Sequence, residues 1–197
     1  MIIFKLIRKI IFKLLTIKKE TYFLMQVDVS DITKSKKLDN KFRVEEITLN
    51  NIGDYNFELF HSKLSKFEER LKNNSYKCYV ILENKKVCYY TWISLQDFIM
   101  PRYVVLKKEL KQDEALLLDS QCAKKYQGLG MHSFMNIYRL QLIKKIDKKK
   151  GLAIVLKGNL PAFKVQEKSG LKTISIMKTF YCKLLRINQV KFIDYEG

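Results

Sequence analysis

The spacing of apolar and polar positions changes period several times along the chain, and each change marks an expected element. From Met1 to Lys19 the period is helical: Ile3, Leu6, Ile7, Ile10, Ile11, Leu14 and Ile17 fall on one side, and Lys5, Arg8, Lys9 and Lys13 on the other. Thr21 to Val29 and Phe42 to Thr48 alternate as strands do, with a polar stretch from Ser30 to Lys41 between them. Phe60, Leu64, Phe67 and Leu71 return to helical spacing and predict a helix that ends near Asn73 and Asn74. Tyr76 to Glu83 and Val87 to Ser94 are rich in β-formers and are joined by Asn84, Lys85 and Lys86, which predicts a hairpin. Leu95 to Lys111 shows no consistent period, so an irregular excursion is expected around Pro101.

From Glu114 the order becomes strand (Glu114 to Ala123), turn (Tyr126 to Gly130), helix (Met131 to Asp147) and strand (Leu152 to Leu156), which is a βαβ unit. The helix is predicted to bury Met131, Phe134, Met135, Tyr138, Leu142 and Ile146, and the basic run Lys144 to Lys150 suits its C-terminus. A short helix from Pro161 to Ser169 follows, with Pro in its first turn and Gly170 just past its end. Lys172 to Asp194 reads as one or two further strands.

Composition narrows the class. The 197 residues, 47% hydrophobic with seven Gly and two Pro, suit one compact α/β domain from residue 20 to 197 behind a basic helix over 1–19. That helix carries charges too often to span a bilayer and lacks the unbroken apolar centre of a cleavable signal. Two readings of it stay open: an interfacial helix on an anionic membrane, or a helix packing its apolar side on the domain. The net charge of +18 favours anionic partners. Scattered lysines without interleaved aromatics argue against nucleic acid. Cys78, Cys88, Cys122 and Cys182 show no paired spacing and have only His61 and His132 to help them. No metal site is therefore expected, and reduced thiols in strand-like runs suit a cytoplasmic protein, with peripheral contact to the inner membrane face through residues 1–19.

The segment with chemistry in it is Tyr126-Gln127-Gly128-Leu129-Gly130-Met131, between a strand and a helix. Two glycines let the backbone turn sharply, and the free N–H groups of the turn and first helical residues converge on one spot suited to phosphate. A Walker loop would need Gly-Lys-Ser/Thr. A dinucleotide fingerprint would need a third Gly where Ser133 stands, and neither is present.

This turn resembles the coenzyme A pyrophosphate loop of GNAT acyltransferases, Gln/Arg-x-x-Gly-x-Gly/Ala, with Lys125 in place of Gln/Arg and Gly128 and Gly130 matching. Downstream, Asn159-Leu160-Pro161-Ala162 and Ser169-Gly170-Leu171 resemble the family's Asn-x-x-Ala/Ser and Gly-Phe. The resemblance implies a GNAT-like acyl-CoA N-acyltransferase fold with a mixed, largely antiparallel sheet flanked by helices. It implies acetyl-CoA or another acyl-CoA as donor, with a primary amine on a small molecule attacking the thioester directly. Gln121, Cys122 and Ala123 would pair with the pantetheine arm. Lys125, Gln127, Gly128, Leu129, Gly130, Met131 and His132 would hold the pyrophosphate, and Asn159, Ala162 and Phe163 would line the far side. Gln166 stands where many members carry a Tyr that serves the thiolate. Tyr126 is a candidate substitute, and Asp119 and Glu114 are candidate bases. His132 is expected on the helix surface, His61 at the core's edge and Trp92 in the core. A nucleotide-linked amino sugar suits the acceptor; the alternative is a binding protein that keeps the fold without the chemistry.

Overall fold

The computed structural model describes residues 17–33, 36–100, 106, 108–183 and 185–195. Its eight strands are β1 (Ile17–Asp28), β2 (Phe42–Ile47), β3 (Tyr76–Glu83), β4 (Lys86–Ser94), β5 (Glu114–Cys122), β6 (Lys150–Leu156), β7 (Lys172–Cys182) and β8 (Ile187–Asp194). The helices are α1 (Leu64–Leu71), α2 (Met131–Lys145) and α3 (Leu160–Lys168). One sheet holds all eight strands in the order β2-β3-β4-β5-β6-β1-β7-β8. Every neighbouring pair is antiparallel except β5 with β6, which are parallel. The sheet is therefore mixed and largely antiparallel, as the GNAT resemblance implies.

Two differences from the expected elements matter. The first is at the N-terminus. Ile17 to Lys19, assigned to the end of a helix, begin β1, where they face Phe180 to Cys182 of β7. The rest of the expected helix, residues 1–16, lies outside the described residues, as does Pro101 in the expected excursion. β1 is an inner strand with β6 on one side and β7 on the other, so from Tyr22 to Gln26 both rows of its backbone groups have a strand partner.

The second difference is in α2. Its buried residues are Met131, Met135, Asn136, Ile137, Arg139, Leu140 and Ile143, while Ile146 is exposed. The packed face is thus rotated from the one that periodicity predicts, toward Asn136 and Arg139, which a hydrophobic pattern does not mark. Elsewhere the pattern holds with small shifts. The expected helix over 60–71 begins as a 3-10 segment, Glu58–Lys63, before α1, and His61 is exposed rather than packed at the core's edge. Phe60 and Phe67 meet the Tyr90 ring edge-on at 5.0 and 4.8 Å, and Phe67 meets Trp92 at 5.1 Å, which ties this arm to the sheet. Among the described residues no helix is long and apolar enough to cross a membrane.

Candidate acyl-donor and acceptor cleft

The site begins where the sheet opens. Residues Glu114 to Leu117 of β5 pair with Lys150 to Ala153 of β6, but β5 continues to Cys122 and β6 to Leu156 without further pairing between them. β5 also carries one residue more than β4 at this level: Tyr90 faces Gln121 and Trp92 faces Leu118, so Thr91 lies opposite both Asp119 and Ser120. Such a bulge bends its strand and aids divergence. Asp119 takes the left-handed conformation there, at φ 45°, and Ser120 Oγ lies 2.6 Å from Thr91 Oγ1.

Because β5 and β6 are parallel, the helices that follow them, α2 and α3, start at the same edge of the sheet. Their N-terminal partial positive charges therefore face the same opening. The turn into α2 holds Gly128 at φ 85° and Gly130 at φ 75°. Nothing lies within 4 Å of a Cβ added at either position, so glycine is needed there for conformation rather than for space. The first intrahelical donor is Phe134, to Gly130 at 3.0 Å, which leaves the N–H groups of Met131, His132 and Ser133 outside the helical ladder. Asn159 caps α3 by accepting from the Ala162 N–H at 3.3 Å.

A cavity of about 1060 Å³ occupies the opening. Its wall toward the helices includes Ser120, His132, Arg139, Asn159, Ala162 and Gln166; its other wall includes Arg70, Tyr76, Asp97, Glu109 and Asp119. On that second wall Arg70 Nη1 donates to Asp119 at 3.0 Å while its guanidinium lies over the Trp92 ring at 4.8 Å. Tyr76 donates to Asp97 at 2.6 Å, and burial with this carboxylate pushes its phenol up to about 12.

The sequence-derived candidates divide accordingly. His132, Asn159, Ala162, Gln166 and Asp119 line the cavity. Lys125, Gln127, Gly128, Leu129 and Gly130 are exposed at the turn. Met131 is buried in the core, and Phe163 turns to the Phe23 ring at 5.0 Å. Gln121 accepts from the Tyr90 hydroxyl at 3.1 Å, Cys122 is half-buried, and the Ala123 N–H donates to Cys88, so this segment is held by β4.

Three expectations require correction. Glu114 sits at the closed end of β5, where its carboxylate accepts from the Lys111 N–H at 3.0 Å; it caps a turn and does not face the cavity. Tyr126 is buried, donates to Glu83 at 2.6 Å and meets Phe42 edge-on at 6.1 Å, so it anchors the turn from the side away from the cavity. His132 is not a surface residue: its Nδ1 lies 2.6 Å from the Tyr89 hydroxyl, and burial, with Arg139 nearby, lowers it to about 4. It is therefore neutral at pH 7.

Sequence reasoning missed Arg70, Tyr76, Asp97, Asn136 and Arg139. The one available signal was Arg139 itself, a charge set between Ile137, Tyr138 and Leu140.

An opened mixed sheet with a glycine turn and two helix N-termini at one mouth defines the class: the chain has the fold of GNAT acetyltransferases. Three solved structures align with the chain at low identity, the second and third of them bearing GCN5-related or GNAT names. A Drosophila protein aligns at TM-score 0.61 and 12% identity, over 96% of this chain and 56% of its own. A GCN5-related glucosamine N-acetyltransferase region of a fungal multi-domain GH3 β-N-acetylglucosaminidase aligns at 0.60 and 14%, over 89% of this chain and 22% of that one. A putative GNAT-family acetyltransferase from Novosphingobium aromaticivorans aligns at 0.57 and 10%, over 82% and 63%. This chain thus spans less than two thirds of each. No family model matches the chain, and no curated protein matches it.

Proposed function

We propose that the protein transfers an acetyl or other acyl group from acyl-CoA to a primary amine on a small molecule in the cytoplasm. The observation that carries this reading is the cavity between the diverging ends of β5 and β6, with the Gly128–Gly130 turn and both helix N-termini at its mouth. Backbone N–H groups there suit a diphosphate, and the long opening suits an extended arm. The acceptor enters from the wall where Asp97, Glu109 and Asp119 alternate with Lys66, Arg70 and Lys108, so that a carboxylate there can face an ammonium group and a cation an anionic one.

In the reaction the neutral amine attacks the thioester carbonyl, a C–N bond forms, the C–S bond breaks, and the electron pair leaves on sulfur. The ammonium, with an ordinary pKa near ~10, must first lose a proton. Asp119 is the candidate acceptor of that proton, directly or through water, and Arg70 fixes its orientation. An amino sugar suits the acceptor class: its amine matches the carboxylates, its phosphate if nucleotide-linked matches the basic chain, and one structural neighbour bears a glucosamine N-acetyltransferase name. Lys5, Arg8, Lys9 and Lys13 of the basic N-terminal segment would provide peripheral contact with an anionic membrane.

The test is titration with acetyl-CoA, followed by thiol release on adding a panel of amines that includes amino sugars. Micromolar binding and amine-dependent release are expected. Absence of binding near millimolar donor would overturn the reading, whereas binding without release for any amine would favour the non-catalytic alternative.

A further inference from the structure

Arg139 is only 1% exposed, yet it borders the cavity. Its Nη1 donates to the carbonyls of Trp92 at 3.0 Å and Leu118 at 3.5 Å, and its Nη2 donates to Asn136 Oδ1 at 3.0 Å. Asn136 in turn donates to Gln166 Oε1 at 2.9 Å, which links α2 to α3 across the back of the opening. The Arg139 Nε has no hydrogen-bond partner among the described residues. None of the ion pairs among those residues involves Arg139. Burial brings it down to about 10, so it remains a cation at neutral pH. A buried cation without a counter-charge is unfavourable, and proteins ordinarily supply an anion to such a group.

Its place indicates which anion. Met131 and Arg139 are eight residues apart on α2, roughly 12 Å at about 1.5 Å per residue. A donor anchored by its diphosphate at the glycine turn and lying along this helix delivers its reactive end to Arg139, beside the Leu118 carbonyl where the strands part. The position expected to carry a proton-donating Tyr holds Gln166, whose amide oxygen is committed to Asn136. The leaving sulfur therefore meets a fixed positive charge rather than an acid.

We propose that Arg139, oriented by Asn136 and Gln166, is the counter-charge for the thiolate that leaves during acyl transfer. This rests on the acyl-transfer reading above. The C–N bond forms as the C–S bond breaks, the electron pair stays on sulfur as an anion beside the guanidinium, and the amine's protons pass to Asp119 or water. Gln166 and Asn136 are positioning residues.

The experiment is a titration of the thiol of bound coenzyme A, followed by thiolate ultraviolet absorbance from about pH 6 to pH 9, in wild type, Arg139→Lys and Arg139→Met. The titratable or charged groups nearest Arg139 are Tyr89 on β4 and His132 on α2; across the cavity stand the Asp119–Arg70 pair of β5 and α1, with Lys66, Tyr76, Asp97, Lys108 and Glu109. Burial raises Tyr89 and lowers His132 to about 4, so both keep one state over that range. In wild type the thiolate should form about one pH unit or more below free coenzyme A. The lysine variant should keep most of that shift, and the methionine variant should lose it. In turnover, Arg139→Met should lower kcat about a hundredfold with little change in KM for acetyl-CoA, and the deficit should shrink with an aryl thioester whose thiol is already acidic. Coenzyme A bound to wild type without any thiol shift would overturn the proposal, as would a methionine variant that titrates like wild type. If the methionine variant fails to fold, the wild-type titration decides alone. Failure of wild type to bind coenzyme A would instead overturn the acyl-transfer reading.

Discussion

Gly130 precedes α2 at φ 75°, and a side chain there meets open space, so its replacement acts through the backbone and through charge. Gly130→Ala should cost about 1 kcal/mol of stability, the left-handed penalty of an ordinary residue, and weaken acetyl-CoA several-fold. Gly130→Asp should fold comparably yet lose far more affinity, because it places a negative charge where the proposed diphosphate would meet N–H groups. Urea unfolding and calorimetric titration separate the two effects. His132 supplies a second prediction. The unfolded chain binds its proton near 6.5 and the folded protein near 4. Between those values the unfolded state holds more protons, so stability falls as pH drops from 6.5 toward 4, by roughly 2 to 3 kcal/mol at about 1.4 kcal/mol per pH unit. His132→Gln should flatten that part of the stability profile, measured by urea midpoints at several pH values.

At the scale of elements, β5 separates two carboxylates that look alike in sequence. Glu114 closes a turn with the Lys111 N–H at the paired end, whereas Asp119 sits on the bulge at the open end and meets Arg70. Asp119→Asn should therefore lower kcat at least tenfold while leaving acetyl-CoA affinity nearly unchanged, and Glu114→Gln should leave kcat within about twofold. Steady-state kinetics with the best amine of the panel checks both. The helix α2 shows the opposite relation between sequence and structure. Its buried face is centred on Asn136 and Arg139, and no hydrophobic pattern marks such a face, because a polar residue reads as exposed until a cavity and a partner are known. Gln166 belongs to the same case: the sequence singled out its position, but its bond to Asn136 is set by the packing of α3 on α2.

For the whole molecule, the decisive feature is the place of β1 between β6 and β7. A chain beginning at Ile17 keeps every strand pair described above, so its melting temperature should stay within a few degrees of the full chain's. A chain beginning at Val29 lacks the strand that joins β6 to β7, leaves their facing edges unpaired, and should not fold cooperatively. Circular dichroism melting of both forms tests this. Liposome co-sedimentation of the form beginning at Ile17, with and without anionic lipid, tests the membrane role of the basic segment. Loss of anionic binding is expected, and equal sedimentation of both forms would remove that role.

Local chemistry determined the parts that were legible in the sequence. The hairpin of β3 and β4, the strand, turn and helix from Glu114, and the glycine turn follow from periodicity and from the conformations that Gly permits. The first-turn Pro161 and the Gly170 stop follow from helix-end chemistry. Those features single out Gly128 to His132 as the proposed diphosphate site without any coordinates. Tertiary structure alone decided the rest: that β1 sits inside the sheet, that Asp119 rather than Glu114 faces the opening, that Tyr126 points away from it, and that Arg139 is buried beside it. Each of these depends on which distant segment lies opposite a residue. A one-dimensional pattern records a residue's polarity and spacing, but pairing register and burial arise only when strands far apart in sequence meet.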